Sequence, residues 1–152
     1  MGIEIERKFL LKHDGWRAQA GAGSAIVQGY LVRDPARTVR VRIAGDHAFL
    51  TVKGVASGAA RAEFEYPIPI EDAQVLLDTL CLSGVIAKTR YRVPIDDVVW
   101  EIDEFHGANA GLILAEVELP HEHHPITLPD WVGDEVTTDP RYTNAVLSIG
   151  IF

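Results

Sequence analysis

The sequence has almost no cysteine and no long apolar run, and both absences exclude classes of protein. Cys81 is the single cysteine in 152 residues, so no intrachain disulfide can form. It lies in an apolar stretch with helical spacing, where a buried thiol is far commoner than a nucleophile. No apolar stretch approaches the ~18 residues of a membrane span, and no basic-then-apolar signal region is present. We therefore expect a cytoplasmic protein with no membrane partner.

An excess of positive charge is also missing. The formal net charge is −8, which argues against a nucleic-acid partner because such proteins normally present a basic face. Net charge does not exclude a small anionic ligand in a local basic pocket. The glycine-rich stretch 54–58 lacks the following Gly-Lys-Ser/Thr of a phosphate-binding loop. His121, His123 and His124 lie in a proline-bounded acidic loop, which we interpret as a solvated turn rather than a zinc site.

The remaining composition is that of an ordinary globular protein. Apolar residues make up 47% of the chain and charged residues 24%, without a low-complexity segment. At this length we expect one domain, residues 1–152. The sequence does not determine the oligomeric state, and a homodimer is compatible with it.

The first predicted strand, residues 3–11, has a regular alternation of charged and apolar side chains. Glu4, Glu6 and Lys8 share one face, whereas Ile3, Ile5 and Phe9 share the other. Two carboxylates on one strand face can hold a hard divalent cation, and a lysine beside them can hold a phosphate oxygen. Taken alone, this pattern is equally typical of the solvated face of an edge strand.

The same alternation recurs along the chain and predicts a mostly β protein. Predicted strands cover residues 3–11, 25–32, 38–43, 47–53, 61–68, 86–93, 98–105 and 112–119. Gly45-Asp46 predicts a tight hairpin, and an apolar stripe predicts a helix over residues 71–83. The tail predicts two short helices, around Trp131 and around Asp139-Pro140. Hairpin-length connections make the sheet antiparallel, so we predict an α+β fold with an eight-stranded antiparallel β-barrel and a few flanking helices.

Sixteen charged residues lie on the charged faces of these strands. They are Glu4, Glu6, Lys8, Arg40, Arg42, Lys53, Arg61, Glu63, Glu65, Lys88, Arg90, Arg92, Glu101, Asp103, Glu116 and Glu118. A charged exterior would also produce alternation. Segregation of the two signs by strand, with few Ser, Asn or Gln between them, instead favours a charge-lined lumen. Such a lumen suits a polyanion and its metal ions, because arginine binds phosphate bidentately and carboxylate pairs bind Mg²⁺ or Mn²⁺.

The ordered motifs resemble those of the triphosphate tunnel metalloenzymes, also called the CYTH superfamily. They are Glu4-x-Glu6-x-Lys8, Arg40-x-Arg42, Lys53, Glu63-x-Glu65, Lys88-x-Arg90, Glu101-x-Asp103 and Glu116-x-Glu118. The resemblance spans nearly the whole chain. The segments Trp131-Val-Gly-Asp-Glu-Val-Thr and Arg141-Tyr142-x-Asn144 are similar to the tail of the short bacterial members, including the inorganic triphosphatase type.

The resemblance implies a role for each motif residue. Glu4, Glu6, Glu116 and Glu118, with Glu63 and Asp103 nearby, would hold Mg²⁺ or Mn²⁺. Arg40, Arg42, Lys53, Lys88 and Arg90 would bind the triphosphate, together with Lys8. Lys8 and Tyr30 would orient or activate the attacking water. Arg61 and Arg92 would either join them or pair with Glu65 and Glu101 at the tunnel mouths.

The expected activity is metal-dependent hydrolysis of a triphosphate. Inorganic triphosphate is the preferred candidate, because the sequence shows no apolar slot for a base or a thiazole ring. A class IV adenylate cyclase, a thiamine triphosphatase and a non-catalytic polyphosphate- or nucleotide-binding module are the alternatives. Phosphate release in the presence of Mg²⁺ distinguishes an enzyme from a binding module.

Overall fold

The structure, a computed structural model, describes residues 2–149 and is built around an antiparallel sheet. Its strands in that range are β1 (Ile3–Leu11), β2 (Ser24–Asp34), β3 (Arg37–Ala44), β4 (His47–Gly54), β5 (Ala60–Ile68), β6 (Ile86–Ile95), β7 (Val98–Phe105), β8 (Ile113–Glu118) and β9 (Val132–Glu135). The α-helices are α1 (Ile70–Thr79) and α2 (Asn144–Leu147), and 3₁₀ helices span Asp14–Gln19, Gly107–Asn109 and Pro140–Tyr142. None of the helices in this range is long and apolar enough to span a membrane.

Strands β1 to β8 form a closed barrel, as the sequence predicts. The order around it is β1-β8-β7-β6-β2-β3-β4-β5, and pairing of Ile3 with Ala62 returns the sheet to β1. The hairpin at Gly45-Asp46 joins β3 to β4, and Gly45 adopts the positive φ of 60° that such a turn requires.

The ninth strand replaces a predicted helix. The segment around Trp131 continues into β9, which pairs with β1 at Phe9 and Leu11. Trp131 is fully buried and its ring lies 5.6 Å from that of Trp100. Anchoring of this large ring against the barrel holds the segment extended along β1, so the prediction of a helix around Trp131 is wrong.

The apolar core lies outside the barrel wall. Phe9, Trp100 and Val117 face outwards and are covered by β9 and by Trp16 of the first 3₁₀ helix. On the opposite side, α1 packs Ala73 and Leu77 onto β3 and β4. The charged faces of the strands therefore point inwards, and the predicted charged lumen is confirmed.

Helix α1 ends earlier than predicted. The apolar stripe continues to residue 83, but the helix stops at Thr79 because the Leu82 amide donates to the Tyr30 carbonyl on β2. Cys81 is consequently half-buried beside Gly29 rather than enclosed in a helix.

Candidate active site

Two cavities meet inside the barrel. The charged chamber, about 600 Å³, is lined by Glu4, Glu6, Arg40, Arg42, Lys53, Glu63, Glu65, Arg90, Arg92, Glu101, Glu116 and Glu118, together with Asp46, His47 and six uncharged residues. The apolar chamber, about 550 Å³, is lined on its apolar side by Pro35, Val55, Ala56, Ala59, Pro140, Ala145, Val146 and Ile149. Four residues line both chambers and mark the junction, namely Glu6, Arg40, Lys53 and Asn144.

The acidic wall of the charged chamber contains like-charged pairs. Glu6 lies directly opposite Glu118 in the β1–β8 ladder, and Glu101 lies directly opposite Glu116 in the β7–β8 ladder. Like charges in such positions repel each other. Burial, followed by the neighbouring Glu116 and Glu4 carboxylates, raises the pKa of Glu6 to about 8. In the ligand-free state Glu6 therefore keeps a proton at neutral pH, whereas Glu116 pairs with Lys8 and Glu101 pairs with Arg90 and Arg92.

Lys8 is the cation that pairs with Glu116 of this wall. Its Nζ lies 3.7 Å from Glu116 Oε1 and donates to the Tyr142 carbonyl at 2.9 Å. Burial lowers the pKa of Lys8, but Glu116 and Glu6 outweigh burial and raise it overall. Burial alone would raise the pKa of Glu116, but Lys8 brings it down to about 2. The pair is therefore charged at neutral pH, and Lys8 shares the apolar chamber wall with Tyr30.

The basic wall has donors that the protein leaves unused. Arg42 Nε donates to Gln28 Oε1 at 2.8 Å, and Arg40 donates to Thr51, which in turn donates to Glu65. Within residues 2–149, buried Arg40 Nε and Gln28 Nε2 have no hydrogen-bond partner. Burial, followed by repulsion from Arg40 and Arg90, lowers the pKa of Arg42 to about 9. An anion in this chamber would relieve the repulsion among these arginines.

Two of the predicted metal ligands are already paired with a lysine. Lys53 Nζ donates to both carboxylate oxygens of Glu4, at 2.9 and 3.2 Å, and lies 3.4 Å from Glu63. Both acids line the charged chamber. Burial raises the pKa of Glu4 despite Lys53. Glu4 and Glu63 can bind a metal ion only if Lys53 moves away from them, towards a phosphate.

Asp103 and Lys88 are fully buried inside the barrel and line neither chamber. Asp103 accepts two hydrogen bonds from Arg90, at 2.7 and 2.9 Å, and lies 2.7 Å from Lys88 Nζ. These two cations hold the pKa of the Asp103 carboxyl well below its usual range although burial opposes them. Burial lowers the pKa of Lys88 to about 7. Their positions favour a supporting role, in which they fix Arg90 at the chamber surface.

The remaining candidate residues fall into different places. Arg92 lies 3.4 Å from Glu101, in agreement with the ion pair that was one of the two roles expected for it. Arg61 instead donates to the Gly54 carbonyl and not to Glu65. His124, in the acidic loop, lies 2.9 Å from Asp97 in the turn between β6 and β7. Sequence reasoning gave no role to Gln28, Thr51 and Asn144. Gln28 and Thr51 each lie two residues before a predicted site residue, Tyr30 and Lys53, and so share its strand face. This spacing is the sequence signal that could have identified them.

The carboxylates of the charged chamber are oxygen ligands, the type that a hard divalent cation requires. In the described part of the chain, no three Asp, Glu, His or Cys side chains form a ready-made metal cluster. Mg²⁺ and Mn²⁺ do not need one, because they commonly bind one or two carboxylates and complete their shell with water and substrate phosphates. The facing carboxylates of Glu6 and Glu118 fit this mode.

Comparisons with known proteins agree with this geometry. Residues 2–143 match the model of the CYTH domain. The chain is 46% identical over 147 residues to an inorganic triphosphatase of Acetivibrio thermocellus, covering 97% of this chain and 94% of that protein. It is 34% identical over 155 residues to an inorganic triphosphatase of Nitrosomonas europaea, covering 97% and 98%. A crystal structure of an inorganic triphosphatase superposes with a TM-score of 0.67 at 33% identity, covering 96% of this chain and 94% of that one. The chain therefore belongs to the CYTH domain family.

Proposed function

We propose that this protein is an inorganic triphosphatase, which hydrolyses inorganic triphosphate to pyrophosphate and phosphate with the help of Mg²⁺ or Mn²⁺. The observation that carries the proposal is the charged chamber, where Arg40, Arg42 and Arg90 line one wall and two cross-strand carboxylate pairs, Glu6 with Glu118 and Glu101 with Glu116, line the other. A polyanion and a divalent cation are together the ligand that neutralises both walls. The names of the relatives in Acetivibrio thermocellus and Nitrosomonas europaea support the same activity.

The basic wall binds the phosphate chain in this proposal. Arg40, Arg42 and Arg90 present guanidinium groups at the chamber surface, and each can hold two phosphate oxygens. Lys53 would give up its hydrogen bonds to Glu4 and donate to a phosphate oxygen instead, which would free the Glu4 carboxylate. Lys88 supports Arg90 through Asp103. Fixing the chain in this way places the terminal phosphorus for in-line attack.

Glu6 and Glu118 are the first ligands we assign to the metal, with Glu116 and Glu4 next to them. Glu63 would join when Lys53 moves away, whereas Asp103 would act through its two cations. The bound ion would neutralise charge on the reacting phosphates, as divalent cations do in phosphoryl transfer.

Lys8 and Tyr30 are placed to act on the water. Because its pKa is raised, Lys8 stays an ammonium and cannot accept a proton from water at neutral pH. We therefore assign Lys8 to orienting the nucleophile or holding a phosphate oxygen. Tyr30, which lies beside it on the junction side of the apolar chamber, would help position the same water.

The apolar chamber supports a second, slower substrate class. The sequence indicated no apolar slot, and this expectation is wrong, because loop 55–59 and tail 140–149 close one barrel end with aliphatic side chains. Loop and tail are far apart in sequence, so their meeting was not visible there. The chamber can accommodate the organic part of a substituted triphosphate such as ATP or thiamine triphosphate.

The proposal is tested by product analysis with purified protein. Inorganic triphosphate, ATP and thiamine triphosphate are each incubated with Mg²⁺ or Mn²⁺, and phosphate, pyrophosphate and cyclic AMP are quantified. We expect phosphate and pyrophosphate from inorganic triphosphate and no cyclic AMP from ATP. Tight binding of triphosphate without phosphate release would instead identify a binding module, and cyclic AMP as main product would identify a cyclase.

A further inference from the structure

Asn144 occupies a special place in the lumen, at the junction between the charged and apolar chambers. Its neighbours there, Glu6, Arg40 and Lys53, are charged, whereas Asn144 is neutral. It is the first residue of α2, so its backbone position is set by the tail and not by a barrel strand.

The tail around Asn144 is fixed on both sides. Before it, the Tyr142 carbonyl accepts from Lys8 Nζ, and the Thr143 hydroxyl caps α2 by accepting from the Val146 amide. After it, Leu147 is fully buried and its carbonyl accepts from Asn109 Nδ2 at 3.0 Å. A residue between these anchors cannot move far, which is what a ligand-contacting group requires.

Lys88 fixes the orientation of the Asn144 amide. Lys88 Nζ donates to Asn144 Oδ1 at 3.0 Å from a fully buried position. Because Lys88 Nζ is the donor in this contact, it selects the oxygen of the amide. The amide nitrogen, Nδ2, is therefore turned away from Lys88. Among residues 2–149, the structure shows no acceptor for Nδ2.

We propose that Asn144 is a substrate-binding residue, whose Nδ2 donates to a phosphate oxygen at the junction of the two chambers. This inference rests on the proposed function. A neutral donor suits this position, because it binds an oxygen without adding charge next to Arg40 and Lys53. It also lies where the lining changes from mostly charged to more apolar.

Three variants separate this role from a structural one. Asn144→Asp is isosteric and keeps an oxygen for Lys88, so it preserves the structural contact while removing the donor and adding negative charge. Asn144→Ala removes both contacts. Asn109→Ala is the matched control, because it loosens the same tail at the Leu147 carbonyl without touching the lumen.

We expect Asn144→Asp and Asn144→Ala to lower kcat/KM for inorganic triphosphate about tenfold to a hundredfold, mainly through KM, as expected for a hydrogen bond to a charged group. Asn109→Ala should lower the Tm but keep kcat/KM within about twofold. The proposal is overturned if Asn144→Asp keeps kcat/KM within about twofold. It is equally overturned if Asn109→Ala loses as much activity as Asn144→Ala.

Binding of inorganic triphosphate, measured by calorimetry in EDTA, distinguishes failure of this inference from failure of the proposed function. If the wild-type protein binds triphosphate but never hydrolyses it, the proposed function fails and the ratio of Kd values for wild type and Asn144→Asp still decides the inference. A ratio near one contradicts it, and a tenfold weaker Kd supports it. Absence of binding by the wild type overturns the inference, whereas release of phosphate from triphosphate in the presence of Mg²⁺ or Mn²⁺ still decides the proposed function.

Discussion

Replacing Glu6 with glutamine should stabilise the metal-free protein while abolishing its activity. The folded-state pKa of Glu6 is about 8, raised from an ordinary value of 4.5. The native state therefore binds more protons than the unfolded state between these values, and stability falls as the pH rises through this window. At about pH 7 Glu6 lowers the free energy of unfolding by about 3 kcal/mol relative to acidic pH, because each pKa unit corresponds to about 1.4 kcal/mol.

Glutamine has nearly the same shape and no charge, so Glu6→Gln removes this cost. For a domain of this size 1 kcal/mol shifts the Tm by about 2 to 4 °C, and we expect an increase of about 6 to 12 °C near pH 7. The increase should vanish near pH 4. Glu122→Gln, in an exposed loop, is the control and should change nothing at either pH.

The assay is thermal unfolding in EDTA at several pH values, followed by the same series with Mg²⁺. With metal present, the wild type should gain more stability than Glu6→Gln, because binding to the native state is linked to folding. A Tm difference that does not depend on pH would refute the reasoning. So would a folded Glu6→Gln variant that is less stable than the wild type near pH 8.

The remaining predictions concern metal, phosphate and substrate. Glu116→Gln and Glu118→Gln should each reduce turnover by orders of magnitude in folded protein, and exhaustive EDTA should abolish it; full activity in either experiment contradicts the metal assignment. Arg42→Ala should raise KM without lowering the Tm, because Arg42 is buried among other cations. Arg90→Ala should raise KM and also cost about 3 kcal/mol in stability, since it leaves buried Asp103 short of a partner; equal Tm values for the two variants would disagree with this. Inorganic triphosphate should exceed ATP in kcat/KM by at least about tenfold, or about 1.4 kcal/mol; a reversed preference would indicate that the apolar chamber dominates binding.

The period-two alternation of charge was sufficient to predict the barrel and the charged character of its lumen. Alternation assigns each side chain to one of two faces, and the segregation of Arg/Lys from Glu/Asp between strands indicated which face points inwards. The hairpin at Gly45-Asp46 followed from local backbone preference. These features are encoded within single strands or turns, so they can be read without knowing the tertiary structure.

The environment of each charge could not be predicted in this way. The motifs Lys88-x-Arg90 and Glu101-x-Asp103 suggested equivalent lumen residues. In the structure Lys88 and Asp103 are buried against each other below the chamber surface, whereas Arg90 lines the chamber. Burial and neighbours then separate the carboxylates, because Glu6 faces other acids whereas Glu116 faces Lys8.

The sequence by itself therefore determined the barrel, the inward direction of the charges and the family resemblance. Only the tertiary structure decided what closes the barrel end. The tail is separated from loop 55–59 by most of the chain, and their contact creates the apolar chamber. The same tail brings Asn144 to Lys88, across 56 positions of sequence. Such contacts depend on where β1, β8 and β9 hold the tail, and no local pattern of residues encodes that distance.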